Sequence, residues 1–440
     1  PRVDLTAGSV RRSVLRLAGP AVGATLLQGL FNVVDTFWVG RGLGPTALAG
    51  VSTAGFTVWM MLSMAQLAPV GLTAVASRRH GERKPDEAAV AVYRAYWLAV
   101  GLSVVLGLLG LFALTPLFRL MATPADVTVQ GSAYLAVYLA GAPIVFTYFV
   151  MEAAFRSSGD TRTPLILLAV SLGLNTILDP LLILGIGPFP KMGIQGAALA
   201  TLLTRAFGCF VGYRWMVQRG LVRRSLPSLR PILQMAWIGL PVAAGGALFS
   251  FVYIILTRFT SQFGTGALAA LGVGHKVESL SYMVCIGFGL AAATAVGQNL
   301  GAGSKERAIL SGRVATGYAV ALTGVVGLAF LLIPAQLMSI FTADPDVIAA
   351  GTSYLRIVAV AQVFMALEIV LQMAMEGAGY SLIPWIPSSV LTLLRLPLAP
   401  LLIRPLGLAG IWWTISGTAV ARGLAALWIW RRGRWVDRVV

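Results

Sequence analysis

Apolar segments about as long as a bilayer is thick recur along this whole chain, and no other feature limits its fold as much. Twelve of them lie between charged or Pro/Gly breaks, at about residues 14–40, 46–76, 92–118, 129–155, 163–187, 193–217, 231–258, 267–298, 309–339, 347–376, 382–403 and 409–430. A helix needs ~20 mostly apolar residues to cross the hydrocarbon core. The runs are too long and continuous for the ~10-residue alternation of a membrane β-barrel. Charged residues are 11% of the chain, against about 25% in soluble domains. The expected fold is an all-α integral membrane protein with twelve transmembrane helices.

The net charge of +17 invites a nucleic-acid partner, but membrane topology accounts for it. With the N-terminus inside, one side collects about 23 Lys and Arg residues, among them Arg11, Arg12, Arg78, Arg79, Arg219, Arg223, Lys305 and Arg432. The other side holds 5, namely Arg41, Arg119, Lys191, Arg258 and Arg404. Such a bias predicts both termini on the cytoplasmic side of a cell (plasma or inner) membrane. The basic arms suit contact with anionic lipid, and the first span serves as the insertion signal. Cys209 and Cys285 both fall inside spans and predict no disulfide framework. His80 and His275 are isolated from each other and from Cys, so no metal site is expected beyond possible Na+.

The sequence repeats itself at a shift of 220. "ATPADVTVQGSAYLAVY" (122–138) lies over "TADPDVIAAGTSYLRIV" (342–358), and the same shift pairs Gly159 with Gly379, Pro164 with Pro384 and Pro180 with Pro400. Near the start of each half, "GPTALAG" (44–50) lies over "GTGALAA" (264–270). Two six-helix halves inserted in the same orientation form a parallel repeat, an architecture suited to alternating access. The expected organisation is an N-lobe over 1–218, a cytoplasmic linker over 219–231 and a C-lobe over 232–440.

Carboxylates in the spans point to a site. Asp35 lies in "QGLFNVVDTFWVG" (28–40) among apolar and aromatic neighbours. At bilayer depth an ionised carboxylate costs several kcal/mol, so such residues are protonated, paired or hydrated and are functional by default. Asn175 and Asp179 are four apart, on one helical face, and Pro180 frees a carbonyl one turn back. The 220 shift maps Asn175 onto Arg395, Asp179 onto Ala399 and Asp35 onto Ile255. The acid pair therefore belongs to the N-lobe alone. Phe31, Trp38, Phe56, Trp59, Tyr148 and Phe149 are candidate aromatics for a cavity that stacks cationic ligands, with helix packing as the competing role of each. Glu278, Lys276 and Glu368 are candidate cavity residues in the C-lobe, with a neighbouring helix as the other partner. Glu152 and Glu376 read as pairing or snorkelling near span ends.

Three motifs give these features a family likeness. "VGQNLGAGSKERA" (296–308), "VVDTFWVGRGLGPTALAGV" (33–51) and "FRSSGDTRTP" (155–164) resemble the signatures of multidrug and toxic compound extrusion (MATE) transporters, over essentially the whole chain. The resemblance implies a V-shaped pair of six-helix lobes, no cofactor, and export of amphipathic, often cationic small molecules driven by H+ or Na+. The polar set resembles the DinF-type branch, whose N-lobe cluster maps onto Gln28, Asp35, Asn175, Asp179 and Thr201. Pro20 matches the proline where the first helix of that branch bends, and Pro20 and Pro180 are the expected hinges. The stretch "ALFSFVYIILTRF" (247–259) lacks the carboxylate of NorM-type members. "MEGAGYS" (375–381) departs from the N-lobe motif, with Glu376 and Tyr380 in place of Arg156 and Asp160. The expected function is a monomeric antiporter. The alternatives are a lipid-linked oligosaccharide flippase, which would need clustered cationic side chains, and an intramembrane aspartyl hydrolase using Asp35 and Asp179 as a dyad.

Overall fold

The computed structural model of the chain describes residues 5–120, 125–226 and 228–438, and every long element among them is a helix. The first half of the chain forms α1 (Val10–Leu43), α2 (Pro45–Ala65), α3 (Leu67–Gly81), α4 (Pro85–Leu120), α5 (Ala125–Ala140), α6 (Ala142–Ser157), α7 (Arg162–Leu184) and α8 (Ile194–Gln218). The second half forms α9 (Leu229–Ser261), α10 (Thr265–Gly301), α11 (Lys305–Leu332), α12 (Pro334–Ser339), α13 (Pro345–Val358), α14 (Ala361–Gly377), α15 (Leu382–Leu393), α16 (Arg395–Leu406) and α17 (Leu408–Arg432).

Among the described residues, nine helical stretches are long and apolar enough to cross a membrane, and eleven when each bent pair is one span. The twelfth is α17, whose 25 residues include Arg422, Arg431 and Arg432. Side chains such as Phe112, 83% exposed, and Leu332, 76% exposed, suit a lipid solvent and not water. Two expected single runs are broken: α5 and α6 meet at 54°, α13 and α14 at 57°. Pro143, in the first turn of α6, supplies no N–H and helps end α5. No proline stands at the matching break in the second half.

Packing divides the chain into two units. Unit 1 is mainly Gly23–Ala243; unit 2 is Val3–Val22 together with Ala244–Val440. The linker expected at 219–231 separates the repeats along the chain, whereas the packing boundary falls inside α1 and α9. The first part of α1 thus packs in unit 2 and its remainder in unit 1, with Pro20 inside an uninterrupted helix.

In unit 1, small residues let helices approach. A Cβ on Gly71 of α3 would lie 2.2 Å from the Met235 carbonyl oxygen of α9, and one on Gly239 would lie 1.9 Å from that of Leu67. Without a hydrophobic drive between helices in lipid, such backbone contact is a main source of association. Asp160 starts α7: its Oδ1 accepts from the N–H groups of Arg162 (3.1 Å) and Thr163 (3.0 Å). Its Oδ2 accepts from Arg219 at 2.7 Å, tying this end of α7 to the end of α8. These bonds give the "SSGDTRTP" segment a structural role.

In unit 2, a Cβ on Gly287 of α10 would lie 2.5 Å from Val22 Cα of α1. Arg307 donates to the carbonyls of Gly8 (3.0 Å) and Leu5 (3.2 Å), fixing the N-terminal arm. The repeat is visible in the backbone: left-handed φ values recur 220 residues apart at Gly44 (83°) and Gly264 (93°), and at Gly159 (86°) and Gly379 (78°). After residue 185 the spacing changes. Gly196 approaches the Leu182 carbonyl as Gly410 approaches that of Leu402, so α8 and α17 correspond at a shift of 214. The shorter α16–α17 turn causes this change.

Candidate functional site

The polar set of unit 1 is assembled by α1, α7 and α8. Asp35 Oδ2 accepts a hydrogen bond from the Thr201 hydroxyl at 3.0 Å. Asn175 Nδ2 donates to Asp179 Oδ1 at 3.1 Å across one turn of α7. Asn175 and Asp179 have no exposed surface. The Asp35 and Asp179 side chains lie close enough to interact electrostatically. Asp35 Oδ1, Asp179 Oδ2 and Asn175 Oδ1 are buried and take no hydrogen bond from the protein. Buried acceptors without donors are costly. A shared proton, or a small cation bound by oxygen, removes that cost. The geometry therefore brings together Asp35, Asn175, Asp179 and Thr201.

Gln28 takes a different partner from the expected one. Its Oε1 accepts from Arg205 Nη2 at 2.6 Å, so it meets a guanidinium and not the carboxylates. Gln28 and Asp35 are two turns apart on α1, and Thr201 and Arg205 one turn apart on α8, so the two helices are tied twice. Arg205 is 5% exposed. Its guanidinium carbon lies 4.4 Å from the Tyr148 ring centroid, 5.2 Å from Phe31 and 6.0 Å from Phe149. Three of the candidate cavity aromatics thus surround an internal cation, in the geometry of cation–π attraction. Tyr134 and Tyr138 of α5 also face the set closely enough to interact electrostatically with Asp35. Sequence reading missed these tyrosines; it places Arg205 in an inter-helix pair, which the bond to Gln28 of α1 matches, without naming that partner.

The other candidates lie apart. Trp38 is half-buried and edge-on to Phe37 at 5.4 Å. Trp59 is 45% exposed, and the Phe56 side chain lies outside what the structure describes. Pro180 sits inside an uninterrupted α7.

Unit 2 places its three candidates separately. Glu278 accepts from the Tyr354 hydroxyl (2.7 Å) and Gln362 Nε2 (3.0 Å), with His275 Nδ1 at 3.7 Å. Lys276 is on the exposed side of α10. Glu368 is 7% exposed, pairs with Arg422 at 3.4 Å and accepts from Ser388 at 2.5 Å. Arg395, 1% exposed, donates to Thr418 Oγ1 at 2.8 Å and lies 5.5 Å from the Tyr253 ring.

Two pseudo-repeated helical units in a membrane, with a buried polar set in one, define a transporter of the two-lobe class. The MatE family model matches the chain twice, over residues 20–181 and 241–401. The chain belongs to this family of efflux transporters. It is 31% identical to a probable multidrug resistance protein NorM of Thermotoga maritima, over 98% of this chain and 94% of that one. It is 26% identical to an FAD transporter of Shewanella oneidensis, over 98% of this chain and 96% of that one. A solved outward-facing multidrug resistance MATE transporter superposes with a TM-score of 0.91 at 25% identity, covering 99% of each chain.

Proposed function

We propose that the protein is a secondary antiporter that exports amphipathic, often cationic, small molecules across the cell membrane in exchange for H+ or Na+, with its coupling site in unit 1. It works as a monomer with both termini in the cytoplasm. The carrying observation is the pair of interacting carboxylates, with three buried acceptor oxygens that no protein donor fills. Loading the pair with a coupling ion neutralises charge between α1 and α7; unloading restores it. A ligand shifts a conformational equilibrium only through its different affinity for the two states, and a site that alternates between charged and neutral supplies such a difference. Support for the DinF-type branch comes from the acid pair and from the absence of a carboxylate in 247–259.

A second substrate class has its own support. Arg395 is fully buried without a carboxylate partner within ion-pair distance among the described residues, and one relative is named an FAD transporter. Both favour a substrate that carries an anionic group. A lipid-linked oligosaccharide would need clustered cations, and Arg395 and Arg422 are each engaged with hydroxyl or carboxylate groups of their own unit.

The test is efflux from vesicles under an imposed pH gradient or an imposed Na+ gradient, each applied alone, for wild type and Asp179→Asn. Asn keeps the shape and removes the titrating group. Wild-type efflux of a cationic dye is expected under one gradient, and its loss in Asp179→Asn. Undiminished efflux by Asp179→Asn would remove the acid pair from the mechanism.

A further inference from the structure

We propose that Arg205 is a tethered cation that makes the acid pair of unit 1 exchange protons and refuse Na+. This rests on the reading of that pair as the coupling site. The placement is specific: Thr201, one turn before Arg205 on α8, bonds Asp35 at 3.0 Å, while Arg205 bonds Gln28, two turns before Asp35 on α1, at 2.6 Å. The charge of Arg205 acts on Asp35. The guanidinium is held by Gln28 and by the rings of Phe31 and Tyr148, and its Nη1 makes no hydrogen bond within the protein. It has no carboxylate within ion-pair distance among the described residues, so its positive charge is not spent on a dedicated partner.

The internal repeat points the same way. At the 214 shift that aligns α8 with α17, Arg205 meets Ala419, and at the 220 shift Asp35 meets Ile255 and Asp179 meets Ala399. The arginine at this place on α8 occurs in the unit that has the acid pair; unit 2, whose buried arginine is Arg395 of α16, has neither an arginine nor an acid at the matching places.

A fixed positive charge weakens every cation that binds beside it. A proton and Na+ suffer alike, but they start from different positions. A proton forms a covalent O–H bond to one carboxylate and is shared with the other, and it needs no shell of ligands. Na+ must gather several oxygens, here the two carboxylates, Asn175 Oδ1 and the Thr201 hydroxyl, and it relies on the uncancelled negative charge of the pair. With Arg205 in place one of the two charges is already answered. The titratable groups facing the pair are Tyr134 and Tyr138 of α5, and Tyr148 of α6 faces Arg205; none of them adds a negative charge at neutral pH.

The test is thermal unfolding of the full-length protein in detergent as NaCl replaces choline chloride at constant ionic strength. The wild type and Arg205→Lys should show no saturable rise in melting temperature. Arg205→Gln should show one, and should lose it when Asp179→Asn is added. Arg205→Met serves where the glutamine variant does not fold. A folded, uncharged variant that gains no Na+ response overturns the proposal. So does a saturable Na+ response of the wild type, which needs no variant. The acid-pair reading fails by a different result, normal dye efflux by Asp179→Asn, so the two failures are distinguishable.

Discussion

Tyr148 has no exposed surface, and its ring lies beside α8 because residue 208 there is glycine: a Cβ at that position would come 2.8 Å from Tyr148 Cε2. The ring in turn holds Arg205 at 4.4 Å. Gly208→Ala should therefore displace the ring and loosen the guanidinium. Overpacking of this size costs about 1–3 kcal/mol, so a lower melting temperature and weaker dye efflux are expected from protein that still inserts. Unit 2 uses charge at the matching place. The 214 and 220 shifts carry Gly208 and Tyr148 onto Arg422 and Glu368, which pair at 3.4 Å. Removing one partner of a buried pair leaves an uncompensated charge, at a cost of ~3–5 kcal/mol. Glu368→Gln should lower the melting temperature, and adding Arg422→Gln should recover part of the loss. If the double variant is no more stable than Glu368→Gln, the pair is not coupled. At this scale the sequence carried half of the site. Asp35, Asn175 and Asp179 stand out because a carboxylate or amide in a greasy run has few explanations. Gln28 and Arg205 were visible as polar residues, but which helix each one faced was not, since periodicity gives the face of a helix and never its neighbour.

Glycines in these helices divide into two kinds according to what stands opposite them. A Cβ added at Gly71 of α3 or Gly287 of α10 would meet backbone within 2.5 Å, whereas one at Gly101 of α4 or Gly317 of α11 would meet nothing within 4 Å. Backbone cannot move aside as the tip of a side chain can. Gly71→Ala and Gly287→Ala should each abolish the monodisperse, folded protein on size exclusion, or lower its melting temperature steeply. Gly101→Ala and Gly317→Ala should be neutral or stabilising by up to ~1 kcal/mol, since alanine is the better helix former. The opposite ranking in a melting series would mean that the α3–α9 and α10–α1 approaches do not bear on stability. Hydropathy located the spans well, because a bilayer imposes a length on each of them. It did not show the breaks inside them. The bend between α5 and α6 had a signal in Pro143, but that between α13 and α14 falls at Val358–Ala361 with ordinary apolar residues. An apolar run reads the same whether or not the helix within it turns.

Across the whole molecule, the repeat in the sequence and the division in packing do not share a boundary. The sequence repeats at 220, and the family model matches twice at nearly that spacing. The packing units divide at Val22–Gly23 and at Ala243–Ala244. Both points lie inside a helix, α1 or α9, and they occupy equivalent places in the two repeats. Each repeat therefore donates the opening of its first helix to the unit built by the other. Hydrophobic pattern cannot disclose this exchange, because the donated segments are as apolar as the rest of their helices. The exchange predicts how the chain behaves when cut. A break at 220–226, between the repeats, leaves a first fragment without residues 229–243 of α9, whose Met235 and Gly239 pack on Gly71 and Leu67 of α3. It leaves a second fragment without residues 3–22, whose Leu5, Val14 and Leu17 are buried in the unit 2 core and whose carbonyls hold Arg307. Each fragment expressed alone should be degraded or aggregate, since each exposes a groove lined with glycine and backbone. Expressed together, they should restore dye efflux, because each supplies the helix that the other lacks. Adding residues 1–22 to the second fragment by fusion should improve its survival alone, whereas adding an unrelated apolar helix should not. A second fragment that is stable by itself, with the melting behaviour of the intact protein, would show that the donated helix is dispensable and that the unit closes without it.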